Sequence, residues 1–207
     1  MRFGERMALE GLLSFLRPRL AVEIGTAQGG SLRRIAAHAE AVHAFDIVDP
    51  GGLRDELPEV EFHVGDSGER LPAVLAQLHA EGDHVDFALV DGDHTADGVR
   101  RDAQALLDSP ACRSTVIVFH DAANEEVRAG LEALDLPEHP KVAVVLWDLV
   151  PGYLVSADTR HLEIWNGLAL VTLYEGWPGR AVVEEEFYDS AWALQAAREA
   201  IRSGAPG

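Results

Sequence analysis

A chain of 207 residues, 47% hydrophobic and 25% charged, can bury a sizeable core and fits one soluble domain. Acidic residues outnumber Lys and Arg by 35 to 17, a formal charge of −18, so the field of the molecule repels a nucleic-acid backbone and nucleic acid ranks low as a substrate. The single cysteine, Cys112, rules out an intrachain disulfide, and no run reaches the roughly 18 apolar residues of a membrane span. The opening Met1-Arg2-Phe3-Gly4-Glu5-Arg6 carries an acid and leads into an amphipathic segment unlike a signal peptide, so the expected location is the cytoplasm.

Leu9, Leu12, Leu13 and Leu16 recur at helical spacing, within a helix expected over residues 5–17 that Pro18 closes. Leu20-Ala21-Val22-Glu23-Ile24 reads as the first strand, followed by a turn of small residues, Gly25-Thr26-Ala27-Gln28-Gly29-Gly30-Ser31. Leu32, Ile35, Ala36 and Ala39 then give the buried stripe of a helix, and Val42 to Ile47 the second strand. Its acid, Asp46, lies about 20 residues beyond the loop, close to where a ribose-binding carboxylate belongs in a βαβ nucleotide site. After the turn Pro50-Gly51-Gly52, Val60 to Val64 is the third strand, ending in Gly65-Asp66-Ser67. Leu71, Val74, Leu75 and Leu78 supply the next helix, with Pro72 where only a first turn tolerates it.

Apolar residues dominate Val85 to Val90, as in a central parallel strand covered on both faces, and the run ends in Asp91-Gly92-Asp93-His94. Val99, Ala103, Leu106 and Leu107 mark a helix that stops near Ser109-Pro110. Ser114 to Phe119 is the fifth strand, ending in His120-Asp121, and Val127, Leu131 and Leu134 carry a helix toward Pro137 and Pro140. Lys141 to Val150 and Ile164 to Tyr174 are two β-like runs joined by a polar loop, an expected antiparallel pair at the sheet edge. Phe187, Ala191, Leu194, Ala197 and Ile201 predict a last helix at about 187–202. The pattern predicts an α/β fold: a Rossmann-like doubly wound sheet, mostly parallel with an antiparallel C-terminal edge hairpin. It forms one domain over 1–207, with its core at 20–175.

Ligands of open α/β sheets collect beyond the carboxyl ends of the strands, which makes the tip of the fourth strand a site candidate. Glu23 would be costly as an unpaired buried carboxylate, so a ligand ammonium or a backbone N–H network should meet it. Asp93 reads as a helix N-cap. Asp97, Asp102 and Asn124 suit lining, solvated or capping roles equally. His38, His43, His63, His79, His84, His139 and His161 read as surface or packing residues.

Glu23-Ile24-Gly25-Thr26-Ala27-Gln28-Gly29 resembles the first motif of class I S-adenosylmethionine-dependent methyltransferases, with Ala27 at the usual middle glycine. The resemblance covers nearly the whole chain. It implies that Glu23, Gly25, Thr26 and Gly29 belong to the cofactor site. By the same resemblance Asp46 takes the ribose hydroxyls, and Asp66, with Ser67 beside it, approaches the adenine amine. Asp91-Gly92-Asp93-His94 and Phe119-His120-Asp121 are similar to motifs of the metal-dependent small-molecule O-methyltransferases, including macrolide sugar enzymes and the methyltransferase-like component of cephamycin biosynthesis. The implied activity is methyl transfer to a small-molecule hydroxyl, with a divalent cation (Mg2+ or Mn2+) on Asp91, His120 and Asp121 and His94 as general base. His120 serves equally as an outer partner orienting Asp121, since histidine suits manganese, iron or zinc better than magnesium. Trp147, Tyr153, Trp165 and Trp177 read as edge-strand core or as the wall of an acceptor pocket. The alternatives are a non-catalytic S-adenosylmethionine-binding protein and a nicotinamide-dependent oxidoreductase; the second lacks a Gly-x-Gly pair and a second dinucleotide half. Exposed edge strands are compatible with a homodimer, though no residue pattern fixes one.

Overall fold

The computed structural model of the protein describes residues 1–158 and 161–184. A helix, α1 (Phe3–Leu16), precedes β1 (Leu20–Ile24), α2 (Leu32–His38), β2 (Ala41–Asp46), α3 (Leu53–Glu56), β3 (Val60–Val64) and α4 (Ser67–Glu81). Then come β4 (Phe87–Val90), α5 (Ala96–Asp108), β5 (Val116–His120) and α6 (Glu125–Glu132). After a 3-10 turn the chain adds β6 (Val142–Val150), β7 (Tyr153–Asp158), β8 (His161–Trp165), β9 (Leu168–Leu173) and β10 (Val182–Glu184). The main sheet has the order β10-β6-β9-β5-β4-β1-β2-β3. Strands β1 to β5 run parallel, and β9 runs antiparallel to both β5 and β6. This is the Rossmann-like sheet with a reversed edge pair that the sequence predicts.

Burial explains why these runs are strands. Every residue of β1 and β4 is buried, because helices cover both faces. Phe87 and Leu89 point to one face with Leu9 and Leu13 of α1 and Leu32 and Ile35 of α2. Ala88 and Val90 alternate to the other, against Leu71, Leu75 and Leu78 of α4 and Val99, Ala103 and Leu106 of α5. The order reverses at β1, which has β2 on one side and β4 on the other, and this opens a crevice at their carboxyl ends.

Three local expectations need correction. Pro72 lies in the second turn of α4, because that helix already starts at Ser67 behind an Asp66 cap; the ring therefore removes one backbone hydrogen bond inside the helix. The polar stretch between the two β-like runs holds a hairpin, β7–β8, in a sheet of its own. Ile164 and Trp165 belong to β8, and Asn166 and Gly167, both left-handed (φ +66° and +87°), redirect the chain into β9. A further strand, β10, pairs in parallel outside β6. The helix expected at about 187–202 lies outside the described residues. Among the described residues no helix is long and apolar enough to cross a membrane.

Candidate active site

The turn after β1 is held in place by backbone geometry. Gly25 has φ +86°, and a Cβ there would lie 2.0 Å from the backbone oxygen of Asp91, so only glycine lets this loop lie against the end of β4. Ala27 also adopts a left-handed conformation, φ +42°, which costs an L-residue about 1–2 kcal/mol. Asp46 holds that turn. Its Oδ2 accepts the N–H of Thr26 (2.9 Å), the N–H of Ala27 (2.9 Å) and the Thr26 hydroxyl (3.0 Å), while Oδ1 accepts the N–H of Val48 (2.9 Å). Burial works to raise the Asp46 pKa, but these donors outweigh it and hold the carboxyl below its usual range. Asp46 thus anchors the glycine turn as well as facing the crevice.

Glu23 is fully buried, and neither carboxyl oxygen has a hydrogen-bond partner. The Ser31 hydroxyl is near, but its geometry falls short of the hydrogen bond expected from the sequence. Burial pushes its pKa up to about 8, a rise that Ser31 offsets only in part and that Asp91 and Asp46 reinforce. An acid whose folded pKa exceeds its unfolded value loses stability as pH climbs between the two, here from 4.5 to about 8. Relative to Glu23→Gln, the wild type should therefore weaken over that window by on the order of several kcal/mol, at about 1.4 kcal/mol per pK unit. Urea unfolding at pH 4.5 and pH 8.5 measures it; parallel pH dependence in the two proteins would refute the assignment.

The tips of β4 and β5 bring two carboxylates and two imidazoles together. His120 Nδ1 lies 2.9 Å from Asp91 Oδ1 and 3.1 Å from Asp121 Oδ2. His94 Nε2 lies 3.4 Å from Asp91 Oδ1 and 3.2 Å from Asp121 Oδ2. A third carboxylate arrives from α1. Glu5 is fully buried, accepts the N–H of Gly167 at 2.9 Å, and sits 3.1 Å from His120 Nε2. That last contact is a charge contact whose geometry falls short of a hydrogen bond. Asp121 is left-handed at φ +53°, a strained conformation of the kind that collects at functional sites.

These neighbours set the protonation states. Burial opposes charge on His120, but Asp121, Asp91 and Glu5 outweigh it and push its pKa up to about 11. Asp121 and Asp91 likewise raise His94 to about 9 against burial. Burial alone would raise Asp91, Asp121 and Glu5, yet the imidazoles hold all three below the ordinary carboxylate range. At neutral pH the cluster carries two positive and three negative charges.

Asp91, His94 and Asp121 each offer one donor atom, and these atoms lie within 4.8 Å of one another. Two carboxylate oxygens fit a divalent cation; the imidazole of His94 beside them is either a third ligand, which suits manganese, iron or zinc better than magnesium, or a base next to the ion. His120 turns Nδ1 to the aspartates and Nε2 to Glu5, the arrangement of a partner that orients ligands.

Gly25, Thr26, Asp46, Asp66, Ser67, Asp91, His94, His120 and Asp121 all line one cavity of about 890 Å³; Glu23 and Gly29 do not. Asp66 caps α4 by accepting the N–H of Gly68 at 2.8 Å. Asp93 is not the cap of α5. That role falls to Thr95, whose Oγ1 accepts the N–H of Gly98, while Asp93 accepts the N–H of Thr95 and faces Arg101. Asn124 caps α6. Asp102 is buried with one oxygen unpartnered, and burial pushes its pKa up to about 6.

Residues 22–122 match the family model described as a methyltransferase domain. That stretch holds the glycine turn and the tips of both β4 and β5. A search of curated proteins gives no match. Among solved structures the fold is similar to an O-methyltransferase from Bacillus cereus in complex with SAH, at 17% identity and TM-score 0.59, covering 84% of this chain and 82% of that one. TomG, an O-methyltransferase of tomaymycin synthesis from Streptomyces achromogenes in complex with SAM, is similar at 18% identity and TM-score 0.57 over 84% and 82%. An rRNA methylase from Streptococcus thermophilus is similar at 15% identity and TM-score 0.54 over 84% and 99%.

Several residues around the cavity escape a sequence reading. Glu5 signals only a capping box, through its bond to the Arg2 N–H. Arg6 and Arg34 bring positive charge to the cavity wall, and the Nε of Arg34 is buried without a partner. Trp165, which the sequence offers as edge-strand core or as an acceptor-pocket wall, stands on the unforeseen hairpin edge-on to His94 at 5.8 Å.

Proposed function

We propose that the chain is a single methyltransferase domain that moves the methyl group of S-adenosylmethionine to a hydroxyl of a small molecule, with a divalent cation held by Asp91 and Asp121 and His94 as proton acceptor. The observation that supports this reading is one cavity lined by both the anchored glycine turn and the carboxylate–imidazole cluster. Its volume of about 890 Å³ is that of a site for small ligands. The charge of −18 favours a small acceptor over an RNA.

In the proposed reaction the acceptor oxygen would attack the sulfonium's methyl carbon in line. The C–S bond would break as the C–O bond forms, S-adenosylhomocysteine would leave, and the hydroxyl proton would pass to His94. A cation held by Asp91 and Asp121 would supply a Lewis acid to stabilise charge on the acceptor oxygen and fix its position. With Asp91 and Asp121 engaged, His94 loses the partners that hold its proton and returns toward the ordinary imidazole range, where it can act as a base. Glu5, through His120, keeps Asp91 and Asp121 aimed. Arg6 and Arg34 offer a cationic wall for the methionine carboxylate of the cofactor.

The test is turnover of purified protein with S-adenosylmethionine, magnesium or manganese, and a panel of vicinal diols and catechols. Methylated product that depends on the cation supports the reading. Binding of S-adenosylhomocysteine without turnover favours a cofactor-binding protein, and binding of NADH instead favours an oxidoreductase. His94→Ala should lower the rate about 10²- to 10³-fold with manganese still bound, as read by its paramagnetic signal. An unchanged rate would remove His94 from the chemistry.

A further inference from the structure

A second group of metal-seeking side chains lies on the edge of the sheet. β2 and β3 pair in parallel with His43 opposite Glu61 and Phe45 opposite His63, so the two-residue period puts all four side chains on one face. His43 Nδ1 and His63 Nε2 face each other at 2.9 Å, with nearly parallel rings. Glu61 reaches both, Oε2 lying 3.8 Å from His43 and Oε1 3.7 Å from His63. In the sequence alone both histidines read as surface or packing residues. Their 20-residue separation vanishes once the two strands align.

We infer that His43, Glu61 and His63 form a second divalent-metal site, suited to zinc and separate from the active site. Two imidazoles and one carboxylate are a ligand set of zinc sites that keep a fourth position for water. Zinc bonds of about 2.0–2.2 Å in a tetrahedron separate ligand atoms by about 3.3 Å, so the imidazoles need to part by about 0.4 Å and Glu61 needs to rotate to bring one oxygen toward both of them. Glu61 can do this because its side chain is 67% exposed, while His43 and His63 are held at 13% and 14%. Glu81 and Asp83 add negative field at His43, and Arg70 opposes it at His63. None of the three ligands lines the cavity.

The site nonetheless touches the wall of the active site. His63 stacks on Phe45 at 4.6 Å, and Phe45 lines the cavity beside Asp46. A metal there ties the edge strand β3 to β2 and steadies that wall.

The probe is zinc itself, titrated into metal-free protein carrying Asp121→Ala, which disables the active-site cluster. The expected result is one zinc per chain, a raised melting temperature, and a cobalt-substituted form with the visible absorption of tetrahedral coordination. Adding His43→Gln and His63→Gln should weaken zinc at least 100-fold and abolish both readouts. Glu61→Gln, at an exposed position, should weaken zinc about tenfold without disturbing the metal-free fold, and it decides the matter if the histidine variant does not fold. Zinc stoichiometry and affinity unchanged by Glu61→Gln and by the histidine pair would overturn the site.

Discussion

Asp91→Ala and Asp121→Ala should each lower cation-stimulated methyl transfer by about 10³-fold, the scale lost when a charge-stabilising group is removed from a transition state, while affinity for S-adenosylhomocysteine changes little. The glycine turn does not depend on either side chain, so the two measurements separate. Asp121→Asn and Asp91→Asn are the sharper variants. Asn tolerates the left-handed conformation of Asp121, and both keep the shape of a cluster in which His120 and His94 would otherwise lose partners. Calorimetry with S-adenosylhomocysteine and rates with manganese check both. Full activity in chelator, with the Asp91 variant unimpaired, would refute the role of the cation. The protonation states add a signature: His94 keeps its proton up to about pH 9, so a cation must displace it at neutral pH. Affinity for the cation should then climb by up to tenfold per pH unit between the ordinary imidazole range and that value, and flatten on either side.

What the sequence discloses and what it hides divide along the range of the interactions. Val85 to Val90 is readable as a central strand because its apolar run reflects burial on both faces, and β4 alternates Phe87 and Leu89 against Ala88 and Val90 as that requires. The glycine turn is readable because Gly25 and Gly29 meet local backbone demands. Glu5 is different. Its helix cap is local, but its place beside His120 depends on α1 folding across the β9 end of the sheet, through the Gly167 N–H. The hairpin β7–β8 and the strand β10 are short and polar at their ends, so no period stands out over the loop signal. Likewise Thr95 takes the cap from Asp93 because α5 starts later than the acid run implies, a boundary shift of two residues that composition does not specify.

Gly25→Ala should abolish both functions of the cavity and destabilise the protein by about 3 kcal/mol or more, adding the cost of a left-handed L-residue to overpacking. At φ +86° the new methyl group would lie 2.0 Å from the carbonyl oxygen of Asp91, 2.5 Å from its carbonyl carbon and 2.8 Å from the Cα of Gly92. Those are backbone atoms, so no side chain can swing away. The strands β1 and β4 would have to separate at the tip where the cluster begins. S-adenosylhomocysteine affinity should fall at least 100-fold, and Asp91 should be displaced with the backbone that carries it. Gly30→Ala is the internal control, because nothing lies within 4 Å of a Cβ there and its φ is not left-handed. It should match wild type in melting temperature. Ala27→Gly probes the same turn from the other side. It releases the strain at φ +42° but frees the unfolded chain, and the two effects nearly cancel. If Gly25→Ala instead bound cofactor as tightly as wild type, the turn after β1 would not be the floor of the cofactor site, and the proposed alignment of sulfonium and cluster would lose its physical basis.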